Sequence, residues 1–313
     1  MTAALRALLA PAYPGRTIRS ISTRPYPFAS SFRLDEVIVE LDDGECAALI
    51  RKDFARSKML PDARRHRPTS MDDPYREIET YRRVLGPAGI GPRCLLAMAD
   101  AASSQFLLIT EKVRGVELWQ IGDISIWEDV VRWLARLHEA YADRQADLLV
   151  DDPQLPILDA AWFDECTTRA LAALATSSDD RAPSLLRAMT GLGLAEELGA
   201  LPRTFVHGEF YSSNVIVGED ANGTTVCPVD WETAALGIGM LDLAAITSGW
   251  DPATEARLVS AYGPLRGSER DLLLCRLHLA LRWIGWSERW SPPAAHAHDW
   301  IGAALDLASR LGR

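Results

Sequence analysis

Thr204-Phe-Val-His207-Gly208-Glu209-Phe-Tyr-Ser-Ser-Asn214-Val-Ile-Val217, followed after a polar turn by Val226-Cys-Pro-Val-Asp230-Trp231-Glu232, carries the information that decides the fold. Residues 215–217 and 226–229 are short β-type runs, and Asn222-Gly223 lies between them. Both turn residues tolerate positive φ, so the segment reads as a hairpin. Pairing residues symmetrically about position 222 sets Asn214 opposite Asp230 at the open end, with Glu209 on the loop just before. Two oxygen ligands sixteen residues apart thus converge with a third acidic group. Mg²⁺ suits such a set, because it takes few protein oxygens and completes its octahedron with water and phosphate. Phosphoryl transfer asks little more of a protein than metal ions on the phosphate oxygens and a carboxylate that orients the attacking hydroxyl. Asn214 and Asp230 are the expected metal ligands, and Glu209 is expected to face the acceptor.

On the N-terminal side of this stretch the chain is strand-rich. Residues 18–23, 37–41, 46–51 and 105–110 are short β-type runs, and Asp42-Asp43-Gly44 forms a turn between the second and third. Asp73-Pro74 opens a helix expected over 75–85. Beyond Gly115 amphipathic helices take over: 126–141, 162–175, 184–198 and again from Met240 onward. The fold expected is α+β and two-lobed, with a β-rich lobe over 1–113 and a mostly helical lobe over 114–313.

Composition narrows the class further. A chain of 313 residues with 48% hydrophobic and 24% charged residues can bury two cores. No run approaches the roughly 20 apolar residues of a membrane span, and the N-terminus does not read as a signal peptide, so the cytoplasm is expected. The five cysteines are scattered, which argues for free buried thiols over a zinc site or a disulfide framework. A formal charge of -10 argues against nucleic-acid binding and is compatible with a cationic substrate. A zinc hydrolase would need His-Glu-x-x-His on one helical face, and that pattern is absent.

His207-Gly208-Glu209-x-x-x-x-Asn214 with Asp230-Trp231-Glu232 resembles the catalytic loop and metal-binding segment of the aminoglycoside phosphotransferase and choline kinase group. The resemblance implies a protein-kinase-like fold, ATP and Mg²⁺ as cofactors, and a hydroxylated small molecule as acceptor. Leu49-Ile50-Arg51-Lys52 resembles the third-strand segment, placing Lys52 on the ATP phosphates with Glu77 as its acidic partner. Leu108 to Val113 resembles the inter-lobe hinge, where backbone groups, here at Thr110 and Lys112, would hold adenine. Residues 27–32 take the place of the phosphate-covering loop. They lack glycine, but Ser30 and Ser31 are small enough for backbone N–H groups to approach phosphate. Trp133-Leu-Ala-Arg-Leu-His138 and Gly239-x-x-Asp242-Leu-Ala resemble two further segments, the second with an Asp that is usually structural. The matching pieces run in order over about residues 20 to 250.

The group usually has Asp where this chain has Glu209, one methylene longer. Catalysis is sensitive to misplacement of about 1 Å, so a catalytically weak or inactive kinase-like protein that binds nucleotide or metabolite is the alternative. Among the remaining polar residues, His207 is expected to brace its loop, Glu79 to sit in solvent, and His138 and His278 to be satisfied within the helical part. Trp283 and Trp286 are candidates to line the acceptor pocket. An antibiotic, a sugar, an amino alcohol or a nucleoside would each serve as acceptor.

Overall fold

The computed structural model describes residues 2–27, 31–66, 73–221, 223–286 and 298–312. Ser30 and the turn residue Asn222 lie outside the described residues. Five antiparallel strands, β1 (Ile18–Pro25), β2 (Leu34–Leu41), β3 (Cys46–Asp53), β4 (Cys94–Asp100) and β5 (Gln105–Glu111), form one sheet in the order β1-β2-β3-β5-β4. Alternation along β2 sends Val37, Val39 and Leu41 to one face, against Leu5, Leu9 and Tyr13 of an N-terminal helix–turn segment. Neither that helix (Thr2–Leu9) nor β4 is expected from the sequence. The helix is short, and β4 shows no alternation, its residues being half-buried throughout until Asp100.

The other core is continuous from Phe32, Phe54, Ile78, Tyr81 and Leu108 beneath the sheet into the helices that follow. Those include Ile124–Tyr141, Ala160–Ala175, Gly239–Thr247, Glu269–Ile284 and Trp300–Arg310. The helix expected over 184–198 is two, Ala182–Met189 and Leu194–Gly199. Gly191 between them sits at φ 73, a left-handed turn that ends the first helix. The helix expected over 75–85 begins at Arg76 and widens into a π-turn over Tyr81–Leu85. Glu79 is buried, not solvated: Arg82 and Arg83 donate to its two oxygens at 2.7 Å each. Cys46 is exposed and Cys94 and Cys227 half-buried, so only Cys166 and Cys275 are the buried thiols expected. Among the described residues, no helix is long and apolar enough to cross a membrane.

Two small sheets carry the functional stretch. β6 (Val116–Glu117) pairs with β8 (Val215–Asp220), which pairs with β9 (Gly223–Pro228), while β7 (Thr204–Val206) pairs with β10 (Ala235–Gly237). The hairpin forms, but one residue out of the expected register. Val215 faces Pro228 and Asp220 faces Gly223, so Asn214 stands beside Val229, whose N–H donates to the Asn214 carbonyl at 2.8 Å. Asp230 is therefore not cross-strand from Asn214 but one residue past the pairing. A one-residue slip turns a side chain to the opposite face, and here the chain corrects its aim by a backbone kink. Asp230 adopts φ 63, a left-handed conformation that Asp and Asn reach more easily than other residues with a Cβ.

Candidate active site

The loop from His207 to Glu209 is held from below. Asp242, near the start of its helix, accepts the backbone N–H of His207 on one oxygen at 2.7 Å and that of Gly208 on the other at 2.9 Å. His138 Nε2 approaches the same carboxylate at 3.3 Å, and its Nδ1 lies 2.7 Å from the Tyr262 hydroxyl. With Nε2–H donating to Asp242, Nδ1 accepts from Tyr262, so His138 is satisfied. Gly208 sits at φ 82, and a Cβ there would collide with the Thr233 carbonyl, so only glycine fits the turn. The imidazole of His207 is fully buried. Its Nε2 donates to the Val229 carbonyl at 3.0 Å, and its Nδ1 accepts from the Glu209 N–H at 3.3 Å. Burial holds its pKa below the ordinary histidine value, which keeps the ring neutral and suits this one-donor, one-acceptor role.

Across the cleft, Lys52 on β3 meets three carboxylates. Its Nζ lies 2.6 Å from Asp230 Oδ1, 2.7 Å from Glu77 Oε2 and 3.3 Å from Glu232 Oε2. Glu77 also accepts the backbone N–H of Trp231 through its other oxygen at 3.2 Å. One glutamate thus ties the helix after β3 to the 230–232 segment. Trp231 secures that segment from below: it is completely buried, stacks on Phe205 at 5.7 Å and donates its indole N–H to Pro228. The carboxylate oxygens of Glu77, Asp230 and Glu232 lie within 4.8 Å of one another. Burial comes first in raising the pKa of Glu77, opposed by Lys52 and reinforced by the two neighbouring acids. Burial works against the Lys52 ammonium as well, but the three carboxylates outweigh it and hold its pKa well above the ordinary value. One cation among three acids, Glu77 and Glu232 buried and Asp230 partly exposed, leaves negative charge in excess, and hard oxygen donors at this spacing suit a divalent cation.

The other expected residues have partners of their own. Asn214 donates through Nδ2 to the Glu209 carbonyl at 3.0 Å, which fixes the amide and leaves Oδ1 as its acceptor end. Ser31 gives its carbonyl to the Leu60 N–H at 3.0 Å. Thr110 pairs within the sheet with Ile50 and Cys94. The Lys112 N–H donates to the Ala48 carbonyl at 2.9 Å, and its ammonium pairs with Glu36 at 2.8 Å.

Two residues of the site were not singled out from sequence. Arg282 donates to Glu209 Oε1 at 2.8 Å and to the Gly208 carbonyl at 2.9 Å. It comes from a helix 73 positions away, and no local pattern announces the pairing. Glu232, although part of the quoted motif, joins the Lys52 cluster only in three dimensions.

One turn before Arg282, His278 is 1% exposed, and neither of its ring nitrogens has a hydrogen-bond partner. It is thus not the satisfied residue expected. Burial, and then Arg282, push its pKa down to about 3. An unfolded chain takes up that proton near the ordinary histidine pKa of about 6.5, whereas the folded protein does not until far lower pH. Stability from this group is therefore complete above about pH 6.5 and is lost as pH falls toward the folded value, by at most about 1.4 kcal/mol per pH unit. His278→Phe preserves the ring packing against Phe163 and is expected to flatten the fall in melting temperature between about pH 6.5 and 4. Parallel melting curves for the two proteins over that range would refute this.

The geometry agrees with what the chain is similar to. The model of the APH phosphotransferase enzyme family matches residues 35–277. No curated relative matches the sequence at a significant level. Among solved structures, a macrolide 2'-phosphotransferase from Brachybacterium faecium superposes with TM-score 0.59 at 16% identity, over 98% of this chain and 97% of that one. A choline kinase from Cryptosporidium parvum Iowa II gives 0.58 at 14% identity, over 99% and 94%. APH(2")-IIia, in complex with GDP and kanamycin, gives 0.59 at 11% identity, over 99% and 98%. These likenesses establish a shared protein-kinase-like fold. With the family match spanning most of the chain, they place this protein in the APH phosphotransferase enzyme family, whose members act on small molecules.

Proposed function

We propose that this protein is an ATP- and Mg²⁺-dependent cytoplasmic phosphotransferase that phosphorylates a hydroxyl of a small molecule. Residues 1–113 form its nucleotide-binding lobe, and residues 114–313 carry the catalytic loop and acceptor site. The observation that carries this reading is the meeting of Lys52, Glu77, Asp230 and Glu232, drawn from positions up to 180 residues apart. Lys52, braced by Glu77, positions the phosphates. Asp230 and Asn214 would hold the metal with Glu232 beside them, and Ser30, Ser31, Thr110 and Lys112 are assigned to the nucleotide site, although the N–H of Lys112 is already given to Ala48. When bound, the ion offsets the charge that develops on the transferring phosphoryl group. Glu209 orients the acceptor hydroxyl and receives its proton. The Arg282 ion pair favours the second reading, a weakened kinase. Arg282 donates to Glu209 Oε1 at 2.8 Å, so part of the carboxylate is already engaged and less available to an acceptor hydroxyl.

Nucleotide binding is the first test. ATP with Mg²⁺ should stabilise the folded protein by mass action, about 2.7 kcal/mol at a hundred times Kd. Lys52→Arg keeps a cation among the three carboxylates but misplaces it, and should remove most of the shift while the unliganded protein stays folded. Lys52→Ala should also lower the unliganded melting temperature, because removing one partner of a buried ion cluster costs about 3–5 kcal/mol. The absence of any ATP-dependent shift in the wild-type protein would overturn the kinase reading.

A further inference from the structure

A cavity of about 110 Å³ opens beside Gly208 and Thr233, behind the catalytic loop. It reaches from Arg76, the residue before Glu77, to Arg282, the partner of Glu209, and so adjoins both halves of the site. Its titratable lining among the described residues is three arginines, Arg76, Arg169 and Arg282, one glutamate, Glu165, and His278.

The charges are unequally compensated. Arg282 is already engaged by Glu209 and the Gly208 carbonyl. Arg169 approaches Glu165 only at 4.0 Å, and that carboxylate is more than half exposed, so the attraction is largely screened. The buried Nε of Arg169 has no hydrogen-bond partner. His278 also lines the cavity, fully buried between the rings of Trp162 and Phe163, with both nitrogens unpartnered. All three nitrogens are closed off from the cavity by the atoms around them, so what the cavity presents to a ligand is charge, three guanidinium groups against one carboxylate. The matching ligand is an anionic oxygen group.

Resting on the phosphotransferase reading, we propose that this cavity receives an acidic arm of the acceptor, a carboxylate or a phosphate monoester. Its hydroxyl would then lie at Glu209, and the substrate class would be hydroxylated anions, not the polycations or amino alcohols that a chain of net charge -10 suggests. The cavity, of about 110 Å³, has room for such an arm. Arg169 is a positioning residue that selects the arm, and Arg282 shares its field between the arm and Glu209.

The test is calorimetric binding of a matched series to the Mg²⁺·ADP-loaded protein: D-gluconate, D-glucose 6-phosphate, D-glucose, D-glucosamine and inorganic phosphate. At least one of the two sugar acids should bind about tenfold or more tightly than glucose, the expected gain from a charge-assisted hydrogen bond. Glucosamine should bind no tighter than glucose. Gluconate against glucose 6-phosphate tells a carboxylate arm from a phosphate one. Arg169→Gln should remove the preference without altering the ATP-dependent melting shift. The proposal falls if glucosamine is preferred or if Arg169→Gln keeps the acid preference. It also falls if no anion, inorganic phosphate included, binds up to roughly 10 mM. The melting shift with Mg²⁺·ATP, read on the same samples, separates the two layers. An acid preference without an ATP shift sinks the kinase reading and leaves the pocket, whereas an ATP shift without an acid preference sinks the pocket alone.

Discussion

Asp230→Asn is expected to reduce phosphotransfer by roughly a thousandfold or more while leaving the protein at least as stable as the wild type. The loss follows from charge. A neutral amide is a weak ligand for a hard divalent cation, and the negative charge that Asp230 contributes to the Glu77–Asp230–Glu232 group disappears. The retained stability follows from two features of the same residue. Asp230 stands at φ 63, a conformation that Asn tolerates as well as Asp, so the backbone kink after β9 is kept. Lys52 faces three carboxylates, and neutralising one relieves repulsion among like charges without leaving the ammonium unpaired. Asp230→Ala would remove the same charge but impose left-handed strain, and its melting temperature should fall below that of Asp230→Asn. Turnover in Asp230→Asn within tenfold of wild type, measured as ADP release with a working acceptor, would remove Asp230 from the metal site.

Glu209→Gln is expected to reduce phosphotransfer by about 10²–10⁴-fold, the usual contribution of a positioned proton acceptor, with ATP affinity nearly unchanged. The role proposed for Glu209 lies with the acceptor hydroxyl and not with the nucleotide, so its loss should fall on the transition state. The change also leaves Arg282 buried with only the Gly208 carbonyl and a neutral amide, and some loss of stability should accompany it. Glu209→Asp is the sharper case. It restores the residue usual at this position but retracts the carboxylate by about 1.5 Å, one C–C bond. The 2.8 Å contact with Arg282 would then open beyond hydrogen-bonding range. Activity should fall below wild type, because the loop and Arg282 are fitted to the longer arm. If Glu209→Asp is instead the faster enzyme, the natural protein is a weakened kinase and the Arg282 ion pair is what weakens it.

Local pattern sufficed for a large part of this molecule. Alternating runs, helical periodicity and the Asn-Gly turn each rest on interactions a few residues long, and a short window shows them. For that reason the β-rich and helical portions, the hairpin after Asn214 and the bracing role of His207 were legible. The ordered motifs likewise named Lys52, Glu77 and Asp230, which the fold then brings within hydrogen-bonding distance across 178 residues. The hairpin register escaped because Asn222 and Gly223 fix that a turn exists but not how many residues it spends, and a slip of one reverses every side chain.

What tertiary structure alone decided is where charge is compensated. Glu79 carries a sequence typical of a solvated helix face, yet it is buried, because Arg82 and Arg83 close over it. His278 looks like any apolar-face histidine, and only packing between Trp162 and Phe163 leaves its nitrogens without partners. Arg282 reaches Glu209 from a separate helix, and nothing within either segment encodes the meeting. Sequence by itself determined which chemical groups are present and which local geometry holds each one. Desolvation and pairing depend on neighbours distant in the chain, so the field at Glu209, and with it the acceptor's charge, is set by the tertiary packing.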